Sequence, residues 1–390
     1  MEAIGLLDLI GDLDGSVIEE AKKRKRSVIP GWTKWVAAVA CLCLVAGGFF
    51  AIARARKTPP AVSGDLPKIA IPEYRPDGMG YEGLCCYRAE ELKKNGNPWR
   101  EDAVLETLPV FRNGSYDPFG VGLPFGLTEA EMTARLESAA KKLDMEILNT
   151  KVETNAAKST VYSVRATSKI GNLTAYADGS LVYKPPVGNK LPEEYHFSGW
   201  DTTDAEAQEV MTYLTETYAS FLNFERPELA PQGKYDFKGN YNVSWFYVYD
   251  AGVDLTESIL NYCFRAAQFV PEYNGGIMRI KLNDGLCAAQ KIGDYPLLSV
   301  AEAKEKLQNG QYQSSAPFAV TGESDIATVE LIYRSGPREE TLLPYYHFYV
   351  EIPDSGVRLA DGLKHYAGYY VPAIRDEYIS NLPTYDGHFN

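Results

Sequence analysis

The chain has 390 residues, 12% of them aromatic, and a formal net charge of −13. Residues 1–57 hold nine of the 39 Lys and Arg and six of the 52 Asp and Glu, so the rest of the chain carries a net charge of −16. Such an acidic surface repels the phosphates of nucleic acids and of anionic lipids, which excludes both as partners of the larger part. That part is long enough for one large domain or two ordinary ones.

Residues 1–34 combine an acidic amphipathic stretch with a basic run. Leucines and isoleucines lie among acidic side chains in residues 3–20, a pattern that predicts one or two short amphipathic helices. Five consecutive cations follow at residues 22–26. Two interpretations remain open: the segment presents a helix to a cytoplasmic signalling protein at the inner leaflet, or it is a disordered tail whose charges only set topology.

Residues 35–53 are 19 consecutive uncharged, mostly apolar positions and predict a transmembrane helix in contact with membrane lipid. A helix of this length reaches about 28 Å, close to the ~30 Å hydrocarbon thickness of a bilayer. Six cations precede the segment and three follow it directly, so the more basic flank, residues 1–34, is predicted in the cytoplasm. A cleaved signal peptide is the alternative, because Ala51 and Ala53, or Ala53 and Ala55, form pairs typical of cleavage sites.

Residues 58–80 contain five prolines, which favour an extended, semi-rigid linker that holds the folded part off the membrane. Beyond the linker, residues 184–192 form the most natural internal boundary. The division gives a first ectodomain unit at residues 81–190 and a second ectodomain region at residues 191–390.

Three segments begin with a capping box. In this motif the hydroxyl of a Ser or Thr accepts a hydrogen bond from the backbone amide three residues later, and the Glu side chain at that later position accepts one from the backbone amide of the Ser or Thr. The pairs are Thr128 with Glu131, Thr203 with Glu206, and Ser299 with Glu302. Apolar side chains at helical spacing follow each pair and predict amphipathic helices at residues 128–143, 203–222 and 299–309.

Segments with the alternation and composition of β-strands follow each predicted helix. They are residues 160–167 and 173–183 after the first helix, 242–249, 259–269 and 277–282 after the second, and 327–333, 345–352 and 369–373 after the third. The pattern predicts an α+β fold of about three helix–hairpin units, with helices packed on antiparallel sheets.

Of the six cysteines, Cys263 and Cys287 lie almost equidistant from the turn at residues 274–276. If an antiparallel hairpin forms there, the two sulfurs face each other, and an extracytoplasmic compartment permits a disulfide. A bulge at residues 283–285 would shift the register and separate them. Neither a C-x-x-C pair nor a Cys/His cluster accompanies these residues, so no metal site is predicted.

Two short segments resemble motifs of catalytic or phosphate-binding sites, and neither matches fully. Gly120, Gly122 and Gly126 match a phosphate-binding loop only superficially, because Pro124 intervenes and no strand precedes them. Ser138 and Lys141 match the S-x-x-K pattern of penicillin-interacting enzymes, but they lie inside a predicted helix without companion motifs. No catalytic residue and no cofactor are therefore predicted.

The four histidines are His196, His347, His365 and His388, and no two of them have metal-ligand spacing. Strand alternation places His347 on one face with Tyr345 and Tyr349. A packed strand histidine is the default expectation, and a pH-responsive group is the alternative.

A further pattern lies in the last hundred residues, at positions 294–299, 301–303, 307, 310–312, 329–333 and 344–350. These stretches resemble the YycH/YycI regulatory proteins. The strand–helix units also resemble PepSY-type modules, and residues 10–14, 19–21 and 40–45 resemble uncharacterised single-span proteins of Gram-positive anaerobes. This resemblance implies one N-terminal span, an extracytoplasmic α+β domain, and a role in modulating a sensor kinase or protecting against proteases.

These patterns together predict a non-enzymatic, single-pass protein of the cell membrane with an acidic extracytoplasmic sensory or regulatory domain. Its extracellular ligand is not identified by the sequence. One alternative is a cell-surface enzyme or enzyme inhibitor acting on wall polymers or peptides. Another is an anti-sigma factor, for which a 34-residue cytoplasmic segment is short.

Overall fold

The computed structural model describes the folded part in twelve ranges. They are residues 66–72, 83–117, 124–155, 160–197, 202–232, 235–236, 238–241, 245–272, 275–320, 322–353, 355–360 and 362–387. The predicted cytoplasmic segment 1–34 and transmembrane segment 35–53 lie outside these ranges. Among the helices of the described ranges, none has both the length and the apolar character needed to span a bilayer.

Sixteen β-strands and six α-helices make up the described ranges. The strands are β1 Leu84–Tyr87, β2 Thr107–Arg112, β3 Asn149–Thr154, β4 Val161–Ser168, β5 Gly171–Tyr176, β6 Leu181–Lys184, β7 Pro227–Gln232, β8 Trp245–Asp250, β9 Ala267–Pro271, β10 Ile277–Leu282, β11 Gln290–Pro296, β12 Gln313–Ser314, β13 Ile326–Tyr333, β14 Thr341–Leu342, β15 Pro344–Glu351 and β16 Lys364–Pro372. The helices are α1 Ala89–Leu92, α2 Glu129–Lys142, α3 Asp204–Thr217, α4 Ala219–Leu222, α5 Leu255–Phe264 and α6 Val300–Gln308.

Three antiparallel sheets organise these strands. An eight-stranded sheet has the order β3-β4-β5-β6-β10-β9-β8-β7, and a five-stranded sheet runs β1-β16-β15-β13 with β12 paired to β16. The third sheet has the order β11-β2-β14. Helices packed on antiparallel sheets confirm the predicted α+β class.

The eight-stranded sheet contains strands from both sides of the predicted boundary at residues 184–192. β6 precedes the boundary and pairs with β10, which follows it, in the register Tyr183 with Ile280. α2 covers β4 and β5, and its apolar stripe of Met132, Leu136 and Ala139 is buried in the core of this sheet. The apolar spacing of the sequence had predicted this stripe.

The five-stranded sheet is buried on both faces through β15 and most of β16. One face carries Leu331, Phe348 and Tyr369 into a large apolar core, against which Leu307 of α6 also packs. Strands buried on both sides have near-continuous apolar and aromatic sequences rather than a clean alternation. The opposite face carries the polar side chains of the candidate site.

Part of the predicted linker belongs to the folded core. Ile69 and Ile71, within residues 66–72, are only 5% and 3% exposed. The amide of Ile69 donates to the carbonyl of Tyr378 (2.7 Å), and the amide of Ile71 donates to Oδ1 of Asn381 (2.8 Å). The described part of the linker is therefore fastened to the C-terminal end of the chain.

The predicted strand at residues 259–269 is wrong in its first half, which is helix α5. The side chain of Asp254 caps this helix by accepting from the amide of Glu257 (2.8 Å). Ile259 and Phe264 are buried on the helix, and the strand begins only at Ala267. A short apolar run is compatible with both structures, and here the acidic cap decides for a helix.

The predicted strand at residues 173–183 is two strands, β5 and β6, joined by a tight turn. Gly179 adopts a φ of +84° in this turn, a conformation that favours glycine. The carboxylate of Asp178 accepts from the amide and hydroxyl of Ser180 (2.9 and 2.6 Å), which stabilises the turn.

All three predicted capping boxes are confirmed. In α6, Oγ of Ser299 accepts from the amide of Glu302 (3.3 Å), and the Glu302 carboxylate accepts from the amide and hydroxyl of Ser299 (both 2.7 Å). The same reciprocal bonds begin α2 and α3. The bonds from Ser299 lower the pKa of the Glu302 carboxyl below its usual value of 4.5.

Glu302→Gln is expected to lower the free energy of unfolding near neutral pH by about 0.5 kcal/mol, because it removes a charge from the first turn of α6. The pKa of Glu302 is lowered in the folded state, so its contribution is present above the unfolded pKa and is lost as pH falls through the folded pKa. Urea unfolding of the wild-type and variant chains, near pH 7 and near pH 3, measures the difference. The matched control is Glu305→Gln, at an exposed position of the same helix. If E302Q lowers the free energy of unfolding by the same amount near pH 3 as near pH 7, the charge of Glu302 is not what stabilises α6.

Candidate functional site

A cavity of about 580 Å³ lies between the polar face of the five-stranded sheet and the loops of the eight-stranded sheet. Sites for small ligands fall in this size range. Its lining comprises Glu330, Ile332, Tyr333, His347 and Tyr349 from the five-stranded sheet, Asp178, Ser180, Tyr247, Tyr262, Cys263, Phe264, Ala266, Lys281, Asn283, Asp284 and Gly285 from the opposite side, and Asn113, Ser115, Pro124, Ser335, Gly336, Pro337 and Leu342 from the intervening segments.

Strand alternation brings the polar side chains of one wall together. Glu330 of β13 pairs in register with His347 of β15, which pairs in register with Tyr370 of β16. Residues two apart on a strand share a face, so Tyr345 and Tyr349 lie on the same side as His347. This confirms the face that the sequence predicted for His347.

The His347 ring is stacked among aromatic rings and is only 1% exposed. It lies parallel to the ring of Tyr370, with centroids 4.4 Å apart and planes at 7°, and its centroid is 4.2 Å from that of Tyr349. The guanidinium carbon of Arg334 lies 5.0 Å from the Tyr370 centroid. The imidazole of His347 in the cavity wall, the phenol of Tyr370 and the guanidinium of Arg334 therefore form one column.

Arg334 and Glu339 form a buried ion pair at the end of β13, and each residue is only 3% exposed. Nε of Arg334 lies 3.2 Å from Oε1 of Glu339, and Nη1 donates to Oε1 of Gln313 (2.7 Å). Burial raises the pKa of the Glu339 carboxyl, and the nearby guanidinium opposes that shift. The pair closes the loop whose residues 335–337 line the cavity.

Glu330 adds a buried carboxylate to the cavity wall. Nδ2 of Asn95 donates to its Oε1, so the segment before β2 contacts the wall directly. A carboxylate beside an imidazole on neighbouring strands is able to bind an ammonium group or to exchange a proton with a ligand.

The opposite wall is tied together by Asp284. Its carboxylate lies 3.0 Å from Nη2 of Arg135 and 3.6 Å from Nε of Arg265. Arg135 also donates to the carbonyl of Gly179 (3.0 Å), which joins the β5–β6 turn to the segment after β10. These ion pairs neutralise much of the charge of Asp284, while Lys281 supplies a cation to the same wall.

Cys263 and Cys287 are free thiols in the structure. Sγ of Cys263, on α5, accepts from the amide of Tyr333 (3.4 Å), and Sγ of Cys287 lies 3.8 Å from the carbonyl oxygen of Asp178. Neither cysteine lies on the paired strands β9 and β10, so the hairpin that would have joined them in a disulfide does not include them. Burial raises the pKa of each thiol to about 12 and keeps both protonated near neutral pH.

The remaining sequence candidates lie away from the cavity or outside the described ranges. Ser138 and Lys141 are exposed on α2, as their helical position predicted, and His196 is exposed. Gly120, Gly122 and His388 fall outside the described ranges. Within those ranges, no three His, Cys, Asp or Glu side chains form a group able to hold a metal ion.

Sequence reasoning missed Glu330, Arg334 and Glu339. A signal was present: Glu330 interrupts an apolar strand, and buried charges in such positions need partners. The partners themselves come from Asn95 and from the loop after β13, and sequence spacing does not indicate those contacts.

No protein-family model matches the chain, and no curated protein sequence matches it. The resemblance to the YycH/YycI regulatory proteins stays a prediction.

Breaking the Arg334–Glu339 pair is expected to destabilise the fold strongly. Glu339→Leu leaves a buried guanidinium without its carboxylate and is expected to lower the free energy of unfolding by about 3–5 kcal/mol. The double variant Arg334→Met with Glu339→Leu is expected to recover most of the loss, because it removes both charges together. Urea unfolding of the wild-type chain, the two single variants Arg334→Met and Glu339→Leu, and the double variant measures the free energies that this double-mutant cycle needs.

The control is Asp294→Ala, which removes an exposed carboxylate 2.7 Å from Nζ of Lys291. An exposed pair contributes at most about 1 kcal/mol, so this loss is expected to be small. Additive effects of the two single changes at Arg334 and Glu339 contradict a coupled buried pair.

Proposed function

We propose that residues 65–390 are the extracytoplasmic ligand-binding domain of a single-pass membrane protein, with a regulatory rather than a catalytic role. The observation that carries this proposal is the cavity of about 580 Å³ with the buried Glu330–His347 wall. Residues 35–53 supply the membrane anchor in this proposal, and residues 1–34 carry the response to a cytoplasmic signalling protein.

The lining favours a small ligand that carries an amino group. Three carboxylates, those of Asp178, Asp284 and Glu330, line the cavity with a single lysine, Lys281. We assign Glu330 to the ligand, because this carboxylate is buried in the cavity wall directly across from His347 on the neighbouring strand. Aromatic rings beside it offer faces for an apolar or sugar-like part and for a cation.

The packing supports a route from the cavity to residues 66–72, at the N-terminal end of the domain. β13 and β15 form the cavity wall, and β15 pairs with β16. The chain after β16 holds residues 66–72 through the bonds of Ile69 and Ile71. In this proposal, a ligand that binds one conformation of the five-stranded sheet more tightly than another changes the position of residues 66–72, which follow the predicted anchor in the chain.

Compounds with a free amino group are expected to raise the melting temperature of the full chain in detergent. A ligand at 100 times its Kd stabilises the folded state by about 2.7 kcal/mol. The panel pairs amino acids, short peptides, polyamines and amino sugars with their N-acetylated forms, and only the free amines are expected to shift the transition. Glu330→Gln is expected to weaken binding about tenfold or more, because a charged hydrogen bond becomes a neutral one.

The matched control is Glu340→Gln, an exposed position in the loop that follows Arg334. It is expected to bind like the wild-type chain. A panel in which free and acetylated amines act alike, or in which E330Q responds like E340Q, argues against this assignment.

The topology is tested separately on intact cells. Trypsin added from outside is expected to digest the portion after residue 57 and to leave residues 1–34 protected until the cells are lysed. Immunoblotting with antibodies to each portion measures this, with a cytoplasmic protein as the control. A C-terminal portion that survives until lysis contradicts an extracytoplasmic domain.

A cell-surface enzyme or enzyme inhibitor acting on wall polymers or peptides is the second candidate, and one observation favours the enzyme. Oγ of Ser355 lies 2.5 Å from Nδ1 of His365, a pair that resembles a nucleophile with its base. Ser355 Oγ also accepts from the amide of Val357 (3.4 Å), which is a turn role that needs no catalysis. Turnover of wall or peptide substrates that is lost in Ser355→Ala decides for the enzyme.

A further inference from the structure

The eight-stranded sheet ends in two very different edge strands. β7, at one end, contains Pro227 and Pro231, which remove backbone donors and protect an edge against further pairing. β3, at the other end, contains no proline and pairs only with β4 among the described residues. Each residue of β3 therefore keeps its backbone donor and acceptor, and such an edge is a template for another strand.

The hydrogen-bonding direction of β3 follows from its neighbours. The carbonyl of Tyr162 in β4 accepts from the amide of Ala177 (3.0 Å), so even-numbered residues of β4 bond toward β5 and odd-numbered residues bond toward β3. From Asn149 to Glu153, β3 pairs odd with odd across this ladder, as in Lys151 with Arg165, so the amides and carbonyls of residues 150 and 152 point away from the sheet. The register shifts between Glu153 and Thr154, but the amide of Asn155 donates to the carbonyl of Thr160 (2.9 Å). Thr154 therefore lies between two residues that bond toward β4, and its own backbone groups point away from the sheet as well.

The sequence of β3 is complementary to itself in one antiparallel register. With a two-fold axis at Val152, Thr150 faces Thr154 of a second copy, and Lys151 faces Glu153 of that copy. A shift of the axis by one residue would place Lys151 on Lys151, or Glu153 on Glu153. Opposite charges directly across strands stabilise a pair and like charges destabilise it, so charge selects the axis at Val152.

The same strand exposes apolar surface. Val152 is 37% exposed although its partner in β4, Val164, is fully buried. Leu148, just before the strand, is 55% exposed. A second β3 strand would cover Val152 and continue the ladder.

We propose that β3 is a homodimerisation edge: two copies of the chain pair their β3 strands antiparallel about an axis at Val152. The two eight-stranded sheets then form one continuous sheet. The outward backbone groups of residues 150, 152 and 154 supply the hydrogen bonds, and the Lys151–Glu153 pairs set the register. This inference is independent of the ligand proposed for the cavity.

Cysteine cross-linking of the full chain in membranes tests the register. Val152 meets its own copy at a hydrogen-bonded position, where Cα atoms are about 5.5 Å apart, a separation that a disulfide spans. Val152→Cys is therefore expected to give a disulfide-linked dimer under mild oxidation. Thr150→Cys alone is expected to give none, because residue 150 of each copy lies opposite residue 154. Co-expressed T150C and T154C chains are expected to cross-link with each other.

The background carries Cys41→Ala and Cys43→Ala, and the chain without a new cysteine gives the baseline. The proposal is overturned if V152C gives no more disulfide-linked dimer than T150C alone. It is also overturned if co-expressed T150C and T154C chains do not cross-link with each other.

A charge reversal provides a second measurement. Lys151→Glu, added to V152C, places carboxylates against Glu153 of the other copy and is expected to lower the cross-linked yield about tenfold. Lys169→Glu, at an exposed position beside the β4–β5 turn, makes the same charge change away from the edge and is expected to leave the yield unchanged. Equal yields in the two variants contradict the register.

Discussion

The buried ion pair between Arg334 and Glu339 is the contact on which the cavity depends. Both residues are almost completely inaccessible, so neither charge is stable there without the other. The pair holds the loop after β13 closed, and Nδ2 of Asn113 donates to the carbonyls of Glu339 (2.7 Å) and Gly336 (3.3 Å) on that loop. Because Asn113 directly follows β2, the ion pair joins the five-stranded sheet to the three-stranded sheet and fixes one side of the cavity.

The two buried faces of the five-stranded sheet have different chemistry. The face with Leu331 and Phe348 packs into an apolar core, where close packing and area removed from water stabilise the fold. The other face holds Arg334, His347 and Glu330, which need hydrogen bonds, ion pairs and ring contacts to be buried at all.

Much of the fold is predictable where local rules determine it. The three capping boxes and the apolar stripe of α2 depend on contacts within a few residues, and each is found as predicted. Strand alternation likewise placed His347 on one face with Tyr345 and Tyr349. The strand predicted at 259–269 failed because a single side chain, Asp254, favours a helix in an apolar run that fits either structure.

The site itself was beyond sequence reasoning, for a physical reason. Glu330 contacts Asn95, and Arg334 contacts Gln313, so the contacts that make a buried charge acceptable come from distant segments. Edge strands and pairings such as β6 with β10 are likewise set by the packing of whole sheets. The predicted disulfide between Cys263 and Cys287 failed for the same reason, because it required a longer hairpin than the one formed by β9 and β10.

The bridge between Ile69 and Ile379 brings the beginning and the end of the folded part side by side. Mechanical tension on the segment that enters the fold acts first on this small parallel contact, and only afterwards on the sheets behind it. Circular permutation is favoured by the closeness of Ile69 and Ile379, since a short connection suffices to join the chain near these two residues. A truncation that removes the short 3-10 helix Asp376–Tyr378 and the residues after it also releases residues 66–72, although the two segments are more than 300 residues apart in the chain.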